Sequence, residues 1–303
     1  MLRTPAVICS SLALAVMALG ACGDETDTAG TGDTTDVSLS AGSTTVPGTT
    51  TTLPTPEVSL PGELPTELVV TDIEVGADRE AQEGDRVIVN YVGVLTEDGT
   101  EFDNSYEKGQ PYPVTLGAGS VIQGWEEGLI GIQAGGIRQL DIPAELGYGD
   151  QGSGEVIKPG DAISFVIEAV AVVPATTPED EPTDLDIQPS SGATEILTED
   201  VRPGEGSVIA EGQTLEVHLI AIRGDNAETL DSTWAGGSPV VVQYAREAMT
   251  PRGFYEGLAG MKVGGRRVIT IPADQGFGEE GNAQISLPPS TDLILVVDLF
   301  ATY

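Results

Sequence analysis

The chain has 303 residues, of which 40% are hydrophobic, so it is long enough for two ordinary domains that each bury a core. Its 48 acidic residues against 13 Lys and Arg give a formal net charge of −35. This charge argues against nucleic-acid binding, which requires clustered cations, and against electrostatic attachment to an anionic lipid surface.

Residues 1–21 have the outline of a signal peptide. A short basic start is followed by an apolar run from Ala6 to Leu19, which is shorter than the ~20 residues of a membrane helix. The ending Leu19-Gly20-Ala21-Cys22 resembles the bacterial lipoprotein lipobox. That resemblance implies that Cys22 is diacylated and becomes the mature N-terminus. Two acyl chains anchor a protein stably, so we expect an extracytoplasmic protein that is lipid-anchored to the cell membrane.

Two segments are predicted to connect domains. Residues 22–64 are rich in Thr, Gly, Asp and Pro with few large apolar side chains, which indicates a disordered tether. Residues 175–190 form an acidic, proline-rich linker. A calcium site in this linker is the alternative, but the run lacks the Gly and the closing Glu of an EF-hand loop.

The block 65–174 is predicted to have an α+β fold. Its apolar patterns predict strands at Arg86–Leu95, Val114–Leu116, Ile137–Ile142 and Ala162–Val173. Between them, Gln123–Ile132 fits one short amphipathic helix, because Trp125, Leu129 and Ile132 recur at helical spacing. Several antiparallel strands around one helix are therefore expected.

The block 191–303 repeats this pattern. Gly124 and Gly253 are offset by 253 − 124 = 129 residues, and eight further positions, mostly glycine, keep this offset. Shared glycines indicate shared backbone turns, so the same fold is expected twice. The predicted strands of the second block are Thr214–Ile222, Val240–Gln243, Arg267–Ile271 and Asp292–Ala301.

Nucleophilic and metal chemistry have few candidate residues in this chain. The one histidine, His218, lies on a predicted strand, so neither a Ser-His-Asp set nor a metal site nor a cofactor is predicted. The first block instead holds six aromatic residues at irregular spacing: Tyr91, Phe102, Tyr112, Trp125, Tyr148 and Phe165. They indicate an aromatic-lined pocket, with plain core packing as the alternative.

Four motifs follow one another in the first block: Val89-Asn90-Tyr91-Val92-Gly93, then Gly99 to Ser105, Val121 to Gly128 and Ile142 to Gly149. Together they resemble the FKBP-type peptidyl-prolyl cis-trans isomerases. The resemblance implies two FKBP-like domains, each a half-open antiparallel β-sheet wrapped around one short α-helix.

The resemblance also implies roles for particular residues of the first block. Trp125 would form the floor of the pocket, with Tyr91, Phe102, Tyr112 and Phe165 as its walls. Asp103 would lie beside Tyr91, and Tyr148 would offer its hydroxyl to a substrate carbonyl. Val121 and Ile122 would bind the substrate backbone, and Val156 and Ile157 would lie on a loop that overhangs the pocket.

The second block is predicted to be a degenerate copy. It has Leu219, Leu230, Phe254, Phe277 and Leu295 where the first has Tyr91, Phe102, Trp125, Tyr148 and Phe165, while Asp231 keeps its counterpart, Asp103. Without the tyrosine hydroxyls and the indole, little remains to orient a substrate carbonyl. We expect isomerase activity in the first block only.

The sequence therefore predicts a prolyl isomerase that assists the folding of exported proteins. Its expected partners are proline-containing unfolded polypeptides and the macrolide inhibitors of the family, with no nucleic acid. Two alternatives remain: a noncatalytic client-binding chaperone lipoprotein, and a structural spacer in the cell envelope. A proline-dependent rate distinguishes the isomerase from both.

Overall fold

The computed structural model describes residues 55–303, which fold into two domains of the same design. The predicted signal peptide, Cys22 and most of the predicted tether lie outside the described residues. The first domain contains β1 (Val69–Glu74), β2 (Ala77–Glu80), β3 (Arg86–Leu95), β4 (Glu101–Asn104), α1 (Ser105–Lys108), β5 (Tyr112–Thr115), α2 (Gln123–Gly128), β6 (Gln133–Ala134), β7 (Ile137–Ile142) and β8 (Ile163–Val173). The second contains β9 (Leu197–Arg202), β10 (Thr214–Arg223), β11 (Thr229–Ser232), β12 (Val240–Gln243), α3 (Arg252–Leu258), β13 (Arg266–Ile271) and β14 (Leu293–Thr302).

The two domains share one sheet topology. The first sheet has the order β1-β7-β8-β3-β4, with β5 also paired to β3. The second has the order β9-β13-β14-β10-β11, with β12 also paired to β10. The strand pairs of both sheets are antiparallel. The predicted α+β class and the predicted repeat are therefore confirmed.

The predicted helix of the first domain is longer than the observed one. Strands β3 and β7 have their predicted bounds, but α2 ends at Gly128 rather than at Ile132. The chain turns at Gly131, whose φ is +79° and whose amide donates a hydrogen bond to the Ala81 carbonyl at 2.8 Å. Ile132 is nevertheless buried, because the turn directs it into the same core.

Helix α2 lies directly on the sheet because of two glycines. A Cβ atom on Gly124 would come within 2.6 Å of the Ile142 side chain, and one on Gly128 within 2.7 Å of Leu140. Real Cβ atoms do not approach this closely, so only glycine fits here. The second domain uses Gly253 and Gly257 in the same way, against Ile271 at 2.4 Å and Ile269 at 2.3 Å.

A buried arginine in each domain fixes the end of this helix. In the first domain, Nη1 of Arg138 donates to the carbonyls of Gly128 and Ile130 at 2.8 and 2.9 Å, while its Nε binds Asp72. The last carbonyls of a helix lack partners within the helix and carry partial negative charge, which a guanidinium satisfies. Arg267 makes the equivalent contacts in the second domain.

The segments outside the sheets are held against the domains. Residues 55–64 contain no helix or strand, yet the side chain of Gln139 exchanges two hydrogen bonds with the backbone of Ser59, at 3.0 and 2.7 Å. In the linker, residues 178–180 form a 3-10 helix, and Leu185 and Ile187 pack on the second sheet. Between residues 55 and 303, none of the helices has the length and apolar character needed to cross a membrane.

Candidate active site

The first domain has an open cleft of about 500 Å³ above α2. Nine of the eleven pocket residues expected from the sequence line it: Tyr91, Phe102, Asp103, Tyr112, Val121, Ile122, Trp125, Tyr148 and Phe165. Ser105, Lys108, Gln110 and Ser120 line it as well. Its size falls within the range of small-molecule and cofactor sites.

Three aromatic rings form the floor of the cleft. The Trp125 ring, carried by α2, meets Tyr91 of β3 edge-on at 5.0 Å between centroids, and Phe165 of β8 at 5.1 Å. Their interplanar angles, 82° and 81°, place the positive edge of one ring against the negative face of another. The three residues are 4 to 7% exposed, so they are packed as part of the core.

Gly93 makes room for the walls, a role that the sequence analysis missed. The Phe102 ring meets Phe165 edge-on at 5.6 Å. A Cβ atom on Gly93 would lie 2.5 Å from Phe165 and 2.9 Å from Phe102, so a larger residue would displace both rings. The equivalent residue of the second domain, 93 + 128 = 221, is Ala221, which there faces leucines instead of phenylalanines.

Asp103 and Lys108 hold the hydroxyl of Tyr91 at the edge of the cleft. The hydroxyl donates a hydrogen bond to Asp103 at 2.8 Å, and Nζ of Lys108 binds Asp103 and lies 3.4 Å from the same hydroxyl. Burial opposes ionisation of Asp103, but the hydrogen bonds from Lys108 and Tyr91 outweigh it and hold the pKa of this carboxyl below its usual value. Burial and the Asp103 hydrogen bond raise the pKa of Tyr91, so its phenol stays neutral.

Helix α1 brings Lys108 to this network. The Asn104 side chain accepts hydrogen bonds from the backbone amides of Tyr106 and Glu107. Asn104 thereby caps the helix, which begins at Ser105, two residues after Asp103. Gly109 ends it with φ +69°, so Lys108 stands one turn above the carboxylate. The sequence signal for this ion pair is an acidic and a basic residue five positions apart. The pair was missed because α1, which joins them, is only four residues long and was not predicted.

Tyr148 has a different environment from Tyr91. Its side chain is half-buried on the cleft, and no described residue hydrogen-bonds to its hydroxyl. Burial and the nearby charge of Asp103 raise the pKa of Tyr148, so the hydroxyl keeps its proton. Of the three tyrosines on the cleft, Tyr91 is therefore already bonded through its hydroxyl, whereas the half-buried Tyr148 is free to donate.

The loop after Tyr148 differs from the expectation. Neither Val156 nor Ile157 lines the cavity. Ile157 is 5% exposed and belongs to the core, because the backbone bonds between Ser153 and Ile157 turn its side chain inward. Val156 is exposed on the same loop, so it is available to a bound chain only from the rim.

A larger cavity of about 620 Å³ lies between the two domains. Its walls contain a single aromatic ring, that of Phe300, and its two arginines, Arg79 and Arg202, are already paired with Asp85 and Asp298. We therefore assign the candidate site to the smaller aromatic cleft. Within residues 55–303 there is also no group of three His, Cys, Asp or Glu side chains that could hold a metal ion.

The equivalent region of the second domain has different side chains. Leu219, Phe254 and Leu295 are 2 to 4% exposed, and Met249 is buried beside them. The stacked rings of Tyr244 and Tyr255, 4.7 Å apart, close one side.

The corresponding loop of the second domain is one residue longer than that of the first. It has four residues between bridged Asn282 and Leu287, where the first domain has three between Ser153 and Ile157. The extra residue lets the chain turn at Ser286, with φ +57°, and Ile285 is buried in the core. Asp231 has lost the partners of Asp103, since leucine and glycine stand at the positions of Tyr91 and Lys108.

Comparisons with known proteins identify both domains. A family model described as FKBP-type peptidyl-prolyl cis-trans isomerase matches residues 77–170 and 206–300. The chain is 49% identical over 119 residues to an FK506-binding protein of Streptomyces anulatus, covering 39% of this chain and 96% of that protein. It is 45% identical over 105 residues to an FK506-binding protein of Neisseria meningitidis, covering 35% and 95%. The crystal structure of FkpA from Escherichia coli aligns at 40% identity with a TM-score of 0.33, over 38% of this chain and 51% of that one. With two matched segments that together span more than half its length, the chain belongs to the family of FKBP-type peptidyl-prolyl cis-trans isomerases.

Proposed function

We propose that the chain is a peptidyl-prolyl cis-trans isomerase whose activity resides in the cleft of the first domain. The observation that carries this proposal is the buried aromatic floor of Trp125, Tyr91 and Phe165 beside the unpaired hydroxyl of Tyr148. The relatives that are named peptidyl-prolyl cis-trans isomerases support the same reaction for this family.

The chemistry of the cleft suits rotation about an X-Pro bond. Amide resonance sets a barrier of about 18–20 kcal/mol to this rotation. The twisted bond has lost its resonance and is less polar than the planar amide, so an apolar pocket that excludes water favours it. Lowering the barrier by about 5–6 kcal/mol would accelerate the reaction roughly 10⁴-fold. No nucleophile, metal or cofactor takes part in this mechanism.

The named side chains have separate tasks in this proposal. The proline ring packs on Trp125 between Phe102 and Phe165, and the substrate backbone follows Val121 and Ile122. The Tyr148 hydroxyl donates a hydrogen bond to a substrate carbonyl. Asp103 and Lys108 hold the Tyr91 ring in place in the floor of the cleft, because they bind its hydroxyl. Tyr112, which is 44% exposed, and Val156 contact the flanking residues of the substrate.

The second domain has no isomerase activity in this proposal. Met249 and Ile285 are buried in its core, and at the positions equivalent to Trp125, Tyr91 and Tyr148 it lacks the indole and the tyrosine hydroxyls of the first domain. A noncatalytic client-binding role of the whole protein is the competing function, and it predicts that neither domain accelerates isomerisation.

The proposed clients and location are based on the sequence. The leader and Cys22 support a lipoprotein outside the cytoplasm, where it would assist exported polypeptides that contain proline. The relatives named FK506-binding proteins support binding of that class of macrolide in the same cleft.

A cis-to-trans assay on a short X-Pro peptide tests the proposal with the chain from residue 23 onward. We expect clear acceleration by the unchanged chain, a loss of at least about tenfold in kcat/KM for Trp125→Ala, and no change for the matched Phe254→Ala of the second domain. Suppression of client aggregation without any acceleration would reject the isomerase and favour the client-binding alternative. A loss of isomerase activity in Phe254→Ala, with none in Trp125→Ala, would show that the activity resides in the second domain and would reject the proposed assignment.

A further inference from the structure

The linker is attached to the two domains by adjacent residues. The amide of Ala175 donates to the buried carboxylate of Asp85 in the first domain at 2.9 Å. The hydroxyl of Thr176 donates to the Gly237 carbonyl of the second domain at 3.2 Å and lies 2.8 Å from Nε2 of His218. No residue separates these attachments, so the linker provides no slack between the domains.

The rest of the linker follows the second domain. Leu185 and Ile187 pack against the apolar outer face of its sheet, formed by residues that include Ile220 and Ile294. The amide of Ser190 then donates to the Gly224 carbonyl at 2.7 Å. A flexible spacer would leave these side chains in water, so this linker belongs to the folded structure.

The two domains touch through equivalent strand ends. Ile88, Ala171 and Val173 of the first domain, which are 1 to 5% exposed, form one cluster with Ala301. Strand pairing places Ile163 opposite Ile142, and Leu293 opposite Ile271, an offset of 293 − 163 = 130. Ala171 is thus equivalent to Ala301, and each domain uses the same strand for the contact. Such self-matching surfaces are typical of two-fold interfaces.

One ion pair crosses this apolar contact. The guanidinium of Arg86 binds the carboxylate of Glu216, whose side chain is only 1% exposed, and Tyr303 donates a hydrogen bond to the same carboxylate at 3.0 Å. A buried carboxylate is costly unless it is paired. The equivalent residue of the first domain, 216 − 128 = 88, is Ile88, so the acid is a feature of the second domain alone. Its partner cation comes from the other domain.

The contact lies on the face of the first sheet that is opposite the cleft. Along β3, Val87, Val89 and Tyr91 face the helix and the aromatic cluster, whereas Ile88 faces the second domain. Alternate residues of a strand point to opposite faces, so the second domain can dock without covering Trp125.

We infer that the outer face of the first sheet, at Ile88, Ala171 and Val173, is the docking surface for the second domain, and that the two domains move as one body in solution. The partner that fits this surface is the C-terminal strand β14 with the paired acid Glu216. The second domain thereby acts as a rigid support that presents the cleft of the first domain outward. This inference does not depend on isomerase activity.

Distance measurement between two nitroxide labels tests this inference. The chain from residue 23 onward lacks both natural cysteines, so exposed Glu97→Cys and Glu279→Cys give one label in each domain. We expect a single narrow distance distribution for this chain. Arg86→Glu places two carboxylates together at the contact and should widen the distribution at least about twofold.

Arg223→Glu is the matched control, because Arg223 pairs with Asp225 on the exposed surface of the second domain. We expect it to leave the distribution narrow, and Arg86→Glu combined with Glu216→Lys to restore it. A broad distribution in the unchanged pair, or an equally narrow one with Arg86→Glu, would overturn the inference. Should the double variant fail to fold by circular dichroism, the comparison of Arg86→Glu with Arg223→Glu still decides.

Discussion

The hydroxyl of Tyr91 donates to Asp103 at 2.8 Å, so this tyrosine is fixed by a charge that the cleft itself supplies. The ring below that hydroxyl touches Trp125, Phe165 and Tyr112 edge-on. Because its hydroxyl is occupied, Tyr91 contributes shape to the cleft, and Tyr148 is the half-buried tyrosine whose hydroxyl remains for a substrate.

Replacing Trp125 separates the chemistry of the indole from its volume. The indole N–H is buried and has no hydrogen-bond partner among residues 55–303. Trp125→Phe removes an unsatisfied donor, so we expect it to change stability by less than Trp125→Ala, which should cost about 3–5 kcal/mol. Urea unfolding measures this difference. An equal loss for both variants would show that the indole N–H is satisfied in solution.

Removing the Tyr148 hydroxyl should affect activity more than stability. We expect Tyr148→Phe to lower kcat/KM about 5- to 10-fold, the value of one hydrogen bond of about 1 kcal/mol, and to leave the unfolding midpoint nearly unchanged. Tyr244→Phe in the second domain is the control, with no expected change in rate. Unaltered kinetics of Tyr148→Phe would remove this hydroxyl from the mechanism.

Adding one methyl group at Gly93 should displace two aromatic rings that line the cleft. Gly93→Ala forces the rings of Phe102 and Phe165 apart, and overpacking of this kind costs about 1–3 kcal/mol. We expect a lower melting temperature together with reduced isomerase activity. The mirror change Ala221→Gly, at the equivalent residue of the second domain, should lower the melting temperature without changing activity. Full activity in Gly93→Ala would contradict the rigid-wall interpretation.

His218, the one histidine in the chain, should give stability a distinct pH dependence. It is fully buried on β10, stacked on Trp234 at 3.8 Å, and burial lowers its pKa from 6.5 to about 4. Because the pKa is lowered in the folded protein, His218 of the unfolded chain becomes protonated at a higher pH than His218 of the folded chain as the pH falls. This contribution to stability is therefore complete above about pH 6.5 and is lost as the pH falls toward about 4.

The expected loss is about 2–3 kcal/mol by pH 4, since each pKa unit corresponds to about 1.4 kcal/mol. Urea unfolding between pH 7 and pH 5 measures most of it before the carboxylates titrate. The free energy of unfolding of His218→Gln should be lower than that of the unchanged protein at pH 7, and it should not vary with pH over this range. The same slope in wild type and variant would assign the effect to other groups.

The sequence predicted the repeated fold because its signals are local. Alternating apolar residues gave the bounds of β3 and β7, and glycines at a common offset gave the second copy. The end of α2 was missed because helical spacing continues to Ile132 in the sequence, while Gly131 turns the backbone. Ile157 was placed at the cleft by its loop, although two backbone bonds to Ser153 turn it inward.

Contacts between distant segments were the part that sequence reasoning could not reach. Nothing near Arg86 indicates that its partner is Glu216, 130 residues away. The bond of Ser59 to Gln139 and the packing of Leu185 likewise depend on how the folded domains present their outer faces. An acidic, proline-rich composition is typical of a linker, but it does not report whether that linker is bound.

In each domain, a pair of glycines in the helix determines how closely the helix lies on the sheet, while other residues determine the chemistry of the cleft. Gly124 with Gly128, and Gly253 with Gly257, set the distance between helix and sheet through backbone contact alone. The residue after the first glycine of each pair, Trp125 or Phe254, differs between the two domains, although both helices lie on their sheets in the same way. A duplicated copy could thus exchange its aromatic residues for aliphatic ones and keep its architecture. Exchange of the residues around the cleft and retention of the domain's shape are, for this chain, independent events.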